Sequence, residues 1–373
     1  MGKKKKFAVA NNPFASVKAQ KAFLPKVDDG STKINLRDIA YQTCDIQDGC
    51  RDKVVDRMSD LIFVAEPEVV IDGIGHNLFD EGEKAALTEW ATTQLCQRYE
   101  FPVMYAKKCL LRHHADLFET NIRTWLDEDG NSALFRLYDD MDGDTFVRGI
   151  VSTKYTPFDA PDIVKVLAKT EELSKKFSPR SYYIDPERMH IRFVADAEMG
   201  VKGENLYVGV MSDSSDVGKM SVNLKVFIMN AKKGNAFILP YAGYAYRQIH
   251  VGKSEEGFAE DIRGIVASIP TMEATAKAVI EKSKSCKYSK ILDLEDEKTW
   301  LSFAKAYDFS LETVSRAVKI LESQKYGAQE SLWALVNSLT EAAETLKLEL
   351  EEKIAAEKAA GNLLYSASNV VND

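Results

Sequence analysis

The hydrophobic pattern changes period twice along the chain. From Glu83 the spacing is helical: in EKAALTEWATTQLCQRY, Leu87, Trp90, Ala91 and Leu95 fall on one stripe, with Gln94 as its one polar interruption. FPVMYAKKCLLRHHADLFETNIRTWLDE predicts two more short helices, with Pro102 suited to the opening of the first and Gly130 closing the region. At Ser132 the period switches to two. ALFRLYDD and TFVRGIVSTKY alternate apolar and polar positions around MDGD, whose Asp142-Gly143 pair signals a two-residue hairpin. Pro161-Asp162 then opens a helix, DIVKVLAKTEELSKKF, expected to end before Pro179. SYYID, MHIRFVADA, NLYVGVMSD and MSVNLKVFIMN read as strands, and the last leads through KKGN to AFILPYAGYAYRQIHV. From Ser254 the helical period returns, in segments near 255–283, 296–307, 310–323 and 328–359. Between residues 36 and 72, LIFV and EVVI fit short helices and short strands equally.

This order predicts an α+β protein. Its core is a largely antiparallel sheet with a hairpin-helix-strands layout, flanked by N-terminal and C-terminal helices. The expected organisation is a flexible basic arm over 1–30, a mostly helical region over 31–131, a β-rich core over 132–253 and a helical region over 254–373. In the last helix, Trp333, Leu335 and Leu339 form an apolar stripe. Packing on its own domain is the favoured use of that stripe, with pairing to a second copy through the C-terminal helices as the alternative.

Composition is that of a folded globular protein, at 45% hydrophobic and 28% charged residues. No run reaches the ~20 apolar residues a membrane span needs. The lysine run Lys3 to Lys6 is followed by no long apolar stretch, so a secretory signal is not expected. The five cysteines are widely spaced and odd in number, without a Cys-x-x-Cys pair, which fits a reducing compartment such as a bacterial cytoplasm. Net charge is −8, but it is unevenly placed. Residues 145–253 hold 16 Lys+Arg against 11 Asp+Glu, whereas residues 1–144 hold 19 against 25 and residues 254–373 hold 14 against 21. The β-rich middle is basic between acidic flanks, so an anionic partner would find its field there.

Motifs for covalent chemistry fail on inspection. VGKS at 251–254 ends like a phosphate-binding loop, but the first glycine of that loop falls on Arg247. DMDGD at 140–144 resembles a calcium loop whose first and last ligands would be Tyr138 and Gly149, neither a carboxylate, so a hairpin turn is the better reading. His113 and His114 are adjacent and point about 100° apart on a helix, so they make no metal pair. No Gly-x-Ser-x-Gly elbow occurs, and no nucleophile, base and orienting group assemble. No metal, no cofactor and no catalytic residue is assigned. Ser152, Tyr155 and His250 are the one polar cluster an enzyme could use.

What the middle does offer is cations beside aromatic rings on strands. Arg148 and Lys154 share parity on the second hairpin strand, with Tyr155 just after. Arg192 lies in MHIRFV and Lys225 in SVNLKVF, and Tyr246, Arg247, His250 and Lys253 crowd one stretch. Phosphates need positive charge and unstacked bases stack on flat side chains, so these nine residues form a candidate nucleic-acid face. Half-buried packing is the more common role of any single tyrosine there.

The order of several phrases resembles the phage and plasmid-like family called "domain of unknown function 932". NIRTWL carries Asn121, Trp125 and Leu126. RGIVSTKYTPFD carries Arg148, Ser152, Tyr155 and Asp159. GVMSDSSDVG carries Ser215, Asp216, Val217 and Gly218. Arg247, His250 and Gly252 follow, and SLWALVNSLTEAA carries Trp333, Asn337 and Thr340. Departures include Gly149, Val151 and Lys154 in the second phrase and MNAKKGN after the third. The resemblance implies a mobile-element protein and supplies no activity. With the basic sheet, it leads to the expectation of a protein that binds, and by analogy with phage annealing proteins anneals, single-stranded DNA without covalent catalysis. The alternative is a phage accessory or structural protein that works through host or phage protein partners.

Overall fold

Two sheets, rather than one, take up the strand-forming segments. A computed structural model describes residues 26–27, 34–65, 76–78, 84–112, 114–240, 246–248, 255–323, 330–346, 348 and 350–370. The expected basic arm lies outside these residues, apart from the two-residue strand β1 (Lys26–Val27).

The smaller sheet combines β2 (Cys50–Val55), β3 (Phe63–Ala65), β4 (His76–Leu78), β5 (Ala85–Leu87), β6 (Ala133–Asp139) and β7 (Thr145–Val151), in the order β2-β6-β7-β5-β4-β3. Its pairings are antiparallel except β5 with β7. It therefore draws strands from both sides of residue 132, where the sequence suggested a boundary. Helix α1 (Leu36–Asp48) precedes β2. Helices α2 (Glu89–Arg98), α3 (Val103–Leu111) and α4 (Ala115–Leu126) contribute Ala91, Leu95, Ala106, Phe118 and Ile122 to the core beneath this sheet.

The segment opening at Glu83 begins differently from its helical reading. Thr88 accepts a hydrogen bond from the Ala91 N–H and starts α2 at Glu89, so Ala85–Leu87 is strand. Leu87 and Ala91 are four apart, which satisfies a helical stripe even though the first sits on a strand. The hairpin is present, with a loop of Asp140 to Asp144 between paired Asp139 and Thr145. The Asp140 carboxylate accepts from the N–H groups of Asp142 and Asp144, and Gly143 takes φ +88°. That turn-making aspartate favours the longer loop.

Helix α5 (Ala160–Lys169) and the single turn α6 (Glu171–Ser174) replace the one helix read from the sequence, with a break at Thr170. The larger sheet follows: β8 (Phe177–Ile184), β9 (Met189–Ala195), β10 (Leu206–Ser214), β11 (Val222–Asn230), β12 (Asn235–Ile238) and β13 (Tyr246–Gln248). Its order is β1-β8-β9-β10-β11-β12, all antiparallel, with β13 also on β11. Strand alternation sends Ile191, Phe193, Val208, Val210, Leu224, Val226 and Ile228 to one face. That face is buried against α5 and the C-terminal helices α7 (Glu255–Ser285), α8 (Glu297–Tyr307), α9 (Leu311–Glu322), α10 (Leu332–Thr345) and α11 (Leu350–Val370). The fold is thus α+β with antiparallel-dominated sheets and helices on both flanks.

Helix α10 is buried on nearly every side, so Trp333, Leu335 and Leu339 are used inside this chain. The Trp333 indole N–H donates to Glu204, and its ring packs edge-on against Phe237. Asn235 donates to the Asn337 carbonyl and to Thr340, latching α10 to the β11–β12 turn. No helix among the described residues is long and apolar enough to cross a membrane.

Candidate functional site on the charged face of the larger sheet

The other face of the larger sheet is only partly apolar. Cross-strand pairing places residues opposite one another on the same side. Ser181, Arg192, Met211 and Lys225 form one such row across β8 to β11. Tyr183, His190, Asp213 and Asn223 form the next row, and β13 sets Arg247 opposite Asn223. Three residues read from the sequence as cationic contacts, Arg192, Lys225 and Arg247, are therefore neighbours in register. Tyr246 pairs with Leu224, one residue out of phase with them. His250 and Lys253 lie outside the described residues.

The charges on this face form a continuous chain. The Lys225 ammonium donates to Asp213 at 2.8 Å. Asp213 bonds the His190 Nδ1, and Arg192 Nε donates to His190 Nε2 at 3.0 Å. The Arg192 terminal nitrogens then grip both oxygens of Glu357, on α11, in a bidentate pair. Arg188 stacks 4.9 Å over the Tyr183 ring and pairs with Asp185 and with Glu351 of α11. Arg192 lies 5.3 Å over Phe227.

Burial drives the titration of this chain. Desolvation outweighs the pull of Asp213 and lowers His190, which leaves a neutral ring donating from Nδ1. Burial opposes the Asp213 carboxylate as well, but His190 and Lys225 outweigh it and hold that carboxyl below the usual range. With both ring nitrogens engaged, His190 offers no lone pair to a substrate in this arrangement. Among the described residues, no group of three or more His, Cys, Asp or Glu could hold a metal ion.

Arg148, Lys154 and Tyr155 lie elsewhere, at the junction of the two sheets, and their expected shared exposed face does not form. Opposite β7, Arg136 pairs with Gly149 and Leu137 with Val147, so Arg148 is the extra residue of a β-bulge. It is fully buried, and β7 ends before Lys154, which is exposed in the following turn. One Arg148 terminal nitrogen donates to the Pro186 carbonyl at 2.6 Å and approaches Asp216 at 3.5 Å. Tyr155 donates its hydroxyl to the Asp216 carbonyl. Arg148, buried inside, cannot meet a phosphate as placed, and the hydroxyl of half-buried Tyr155 is taken up by Asp216. The Arg192 guanidinium is likewise buried, held between His190 of its own strand and Glu357 of α11.

The junction gathers residues from two of the quoted phrases. Arg136 donates to both oxygens of Asp159, to Asp52 and to the Asp216 carbonyl. The Asp216 carboxylate accepts the first N–H of α5, from Ala160, and so caps that helix. Val217 presses on Gly149, and its carbonyl accepts from both Trp90 and Gln94. Gln94 also accepts the Ile150 N–H, which explains the polar break in an apolar stripe. Arg136 and Asp52 carry no local signal, because an arginine on a strand reads as surface until its partners are known.

Burial and the neighbouring Asp159 push the Asp216 carboxyl up to about 7, against the pull of Arg148 and Arg136. A carboxyl raised above its unfolded value of about 3.9 contributes stability that is full below that pH and is lost as pH rises toward 7. Urea midpoints of the wild type, measured at steps of about one pH unit, should therefore fall as pH rises from about 4.5 to about 7.5. Asp216→Asn should flatten that slope. An unchanged slope in the variant would show that Asp216 titrates normally.

No family model, curated protein or solved structure matches this chain.

Proposed function

We propose that this protein binds single-stranded DNA through the charged face of the larger sheet and makes or breaks no covalent bond. The observation that carries the reading is the register: Arg192 and Lys225 flank Met211 in one row, with Arg247 one row away. Half-buried Tyr183 supplies a flat ring beside the cations, the pairing that single strands require. The resemblance to the phage and plasmid-like family supports a setting in replication or recombination, where annealing would be the use of such a face.

Fluorescence anisotropy with a labelled oligo-dT tests it. Three phosphate contacts give log K against log salt a slope of about −2, at roughly −0.7 per contact on single strands. Lys225→Ala combined with Arg247→Ala should weaken binding and flatten that slope. Affinity left unchanged by the pair of substitutions rejects the reading.

A protein partner is the second reading, favoured by apolar side chains on the helices of the smaller sheet. Met104 is 74% exposed and Trp125 51%. Capture of the same partners before and after nuclease treatment of a lysate would favour it over DNA.

A further inference from the structure

The charged face is covered at one end by part of helix α11, and that cover is built unevenly. From Ala356 onward the helix contributes to the core, with Ala356, Ala359, Ala360, Leu363 and Leu364 buried. At Gly361 it presses directly on the Ile238 backbone of β12. Its first turns are different. Glu351 and Glu352 are exposed, Lys353 and Ile354 half-buried and Ala355 exposed. Their hold on the sheet is Glu351 on Arg188, Glu357 on Arg192, and the contact of Ile354 with the small apolar cluster around Phe227 and Met211. Besides these ties the segment has the Lys353–Glu344 ion pair to α10 and one buried apolar side chain, Ala356, and a stretch with so few buried apolar contacts opens locally while the remainder stays folded.

The groups it covers are those a phosphate chain would take. A carboxylate gripping a guanidinium with two parallel hydrogen bonds presents the same fork of oxygens as a phosphate. Lys225 sits in the row of Arg192 with its side chain 25% exposed, so one cation of the row is already open to solvent. We propose that the leading turns of α11 act as an internal polyanion: Glu351 and Glu357 occupy Arg188 and Arg192 until single-stranded DNA, arriving at Lys225, takes their place. This rests on the charged face being the DNA site. The exchange keeps each arginine paired throughout, so neither guanidinium is left buried without a counter-charge. Charge neutrality on α11 would then set how readily the face opens.

The test measures oligo-dT affinity at one low salt concentration for the full-length wild type, for Glu351→Gln/Glu357→Gln, and for Lys225→Ala. If the covered arrangement outweighs the open one ten to one, the glutamine variant should bind about tenfold tighter than the wild type. Lys225→Ala should bind more weakly. A glutamine variant that binds no tighter while Lys225→Ala still weakens binding overturns the cover and leaves the site. Absence of binding by both wild type and glutamine variant overturns both. Hydrogen exchange on the wild type serves as a check that needs no variant to fold. Adding oligonucleotide should speed exchange at residues 350–357 and leave 359–367 unchanged, and slowed or unaltered exchange at 350–357 overturns the proposal.

Discussion

Arg136→Ala will shift urea unfolding to a far lower midpoint, a loss of about 3–5 kcal/mol, because it breaks a buried ion pair from one side. Arg136 is 1% exposed and serves Asp52, Asp159 and the Asp216 carbonyl at once. Its removal leaves Asp159, 6% exposed, with a buried charge and no guanidinium on either oxygen. The gap also unties the start of α5 from the β2–β6 pair, in which Asp52 lies directly opposite Arg136. Arg148→Met should cost much less. Arg148 is as deeply buried, yet its Nε and one terminal nitrogen have no hydrogen-bond partner among the described residues. Each such donor costs about 1–3 kcal/mol in the folded state, so deleting them offsets part of the lost pairing with Asp216. Equal losses for the two variants, or a larger one for Arg148→Met, would contradict this ranking.

Gly361→Ala should also destabilise, by on the order of 2 kcal/mol, against the trend for a helix interior. Alanine is favoured over glycine there by about 1 kcal/mol. At position 361 the added methyl would overlap the Ile238 carbonyl oxygen and sit 2.9 Å from its carbon. That backbone is fixed by the pairing of Ile238 with Phe227, so the helix must retreat and loosen its buried alanines. Gly264, exposed on α7, has nothing within 4 Å of a built methyl. Gly264→Ala should therefore raise the melting temperature while Gly361→Ala lowers it. Calorimetry on the pair reads the contrast directly, and a rise for both would mean that α11 is not held against β12.

Much of the fold is legible in the sequence because burial imposes period. The alternation in β6, β7 and β9 to β11, and the helical stripes after Ser254, are each the direct trace of one buried face. What escaped was long-range pairing. Nothing local in Cys50–Val55 says that it pairs with β6 across some eighty residues, so the smaller sheet was split between two expected regions. Residues 85–87 were absorbed into the following helix because a strand of three is too short to show its own period. The candidate site divides in the same way. Arg192, Lys225 and Arg247 could be singled out by charge on strands, but their register depends on hairpin lengths that only the fold fixes. Arg148 carried the same local signature and went inside, since a bulge, not composition, decides which way it points. Gln94 was the best hint of a buried polar junction, visible as the one polar residue in an otherwise apolar stripe.

Pro179 and Gly361 look unrelated, yet each guards one margin of the larger sheet. Pro179 sits on β8, one strand in from the two-residue edge strand β1, which covers only Ser181 and Tyr182; beyond that cover Pro179 has no N–H to offer a newcomer. On the far side, β12 lies under the close approach of α11 at Gly361. A proline near one margin and a helix pressed on the other both work against strand addition from another molecule. Contact between copies of this chain is thereby steered away from those two margins and toward the helical surfaces.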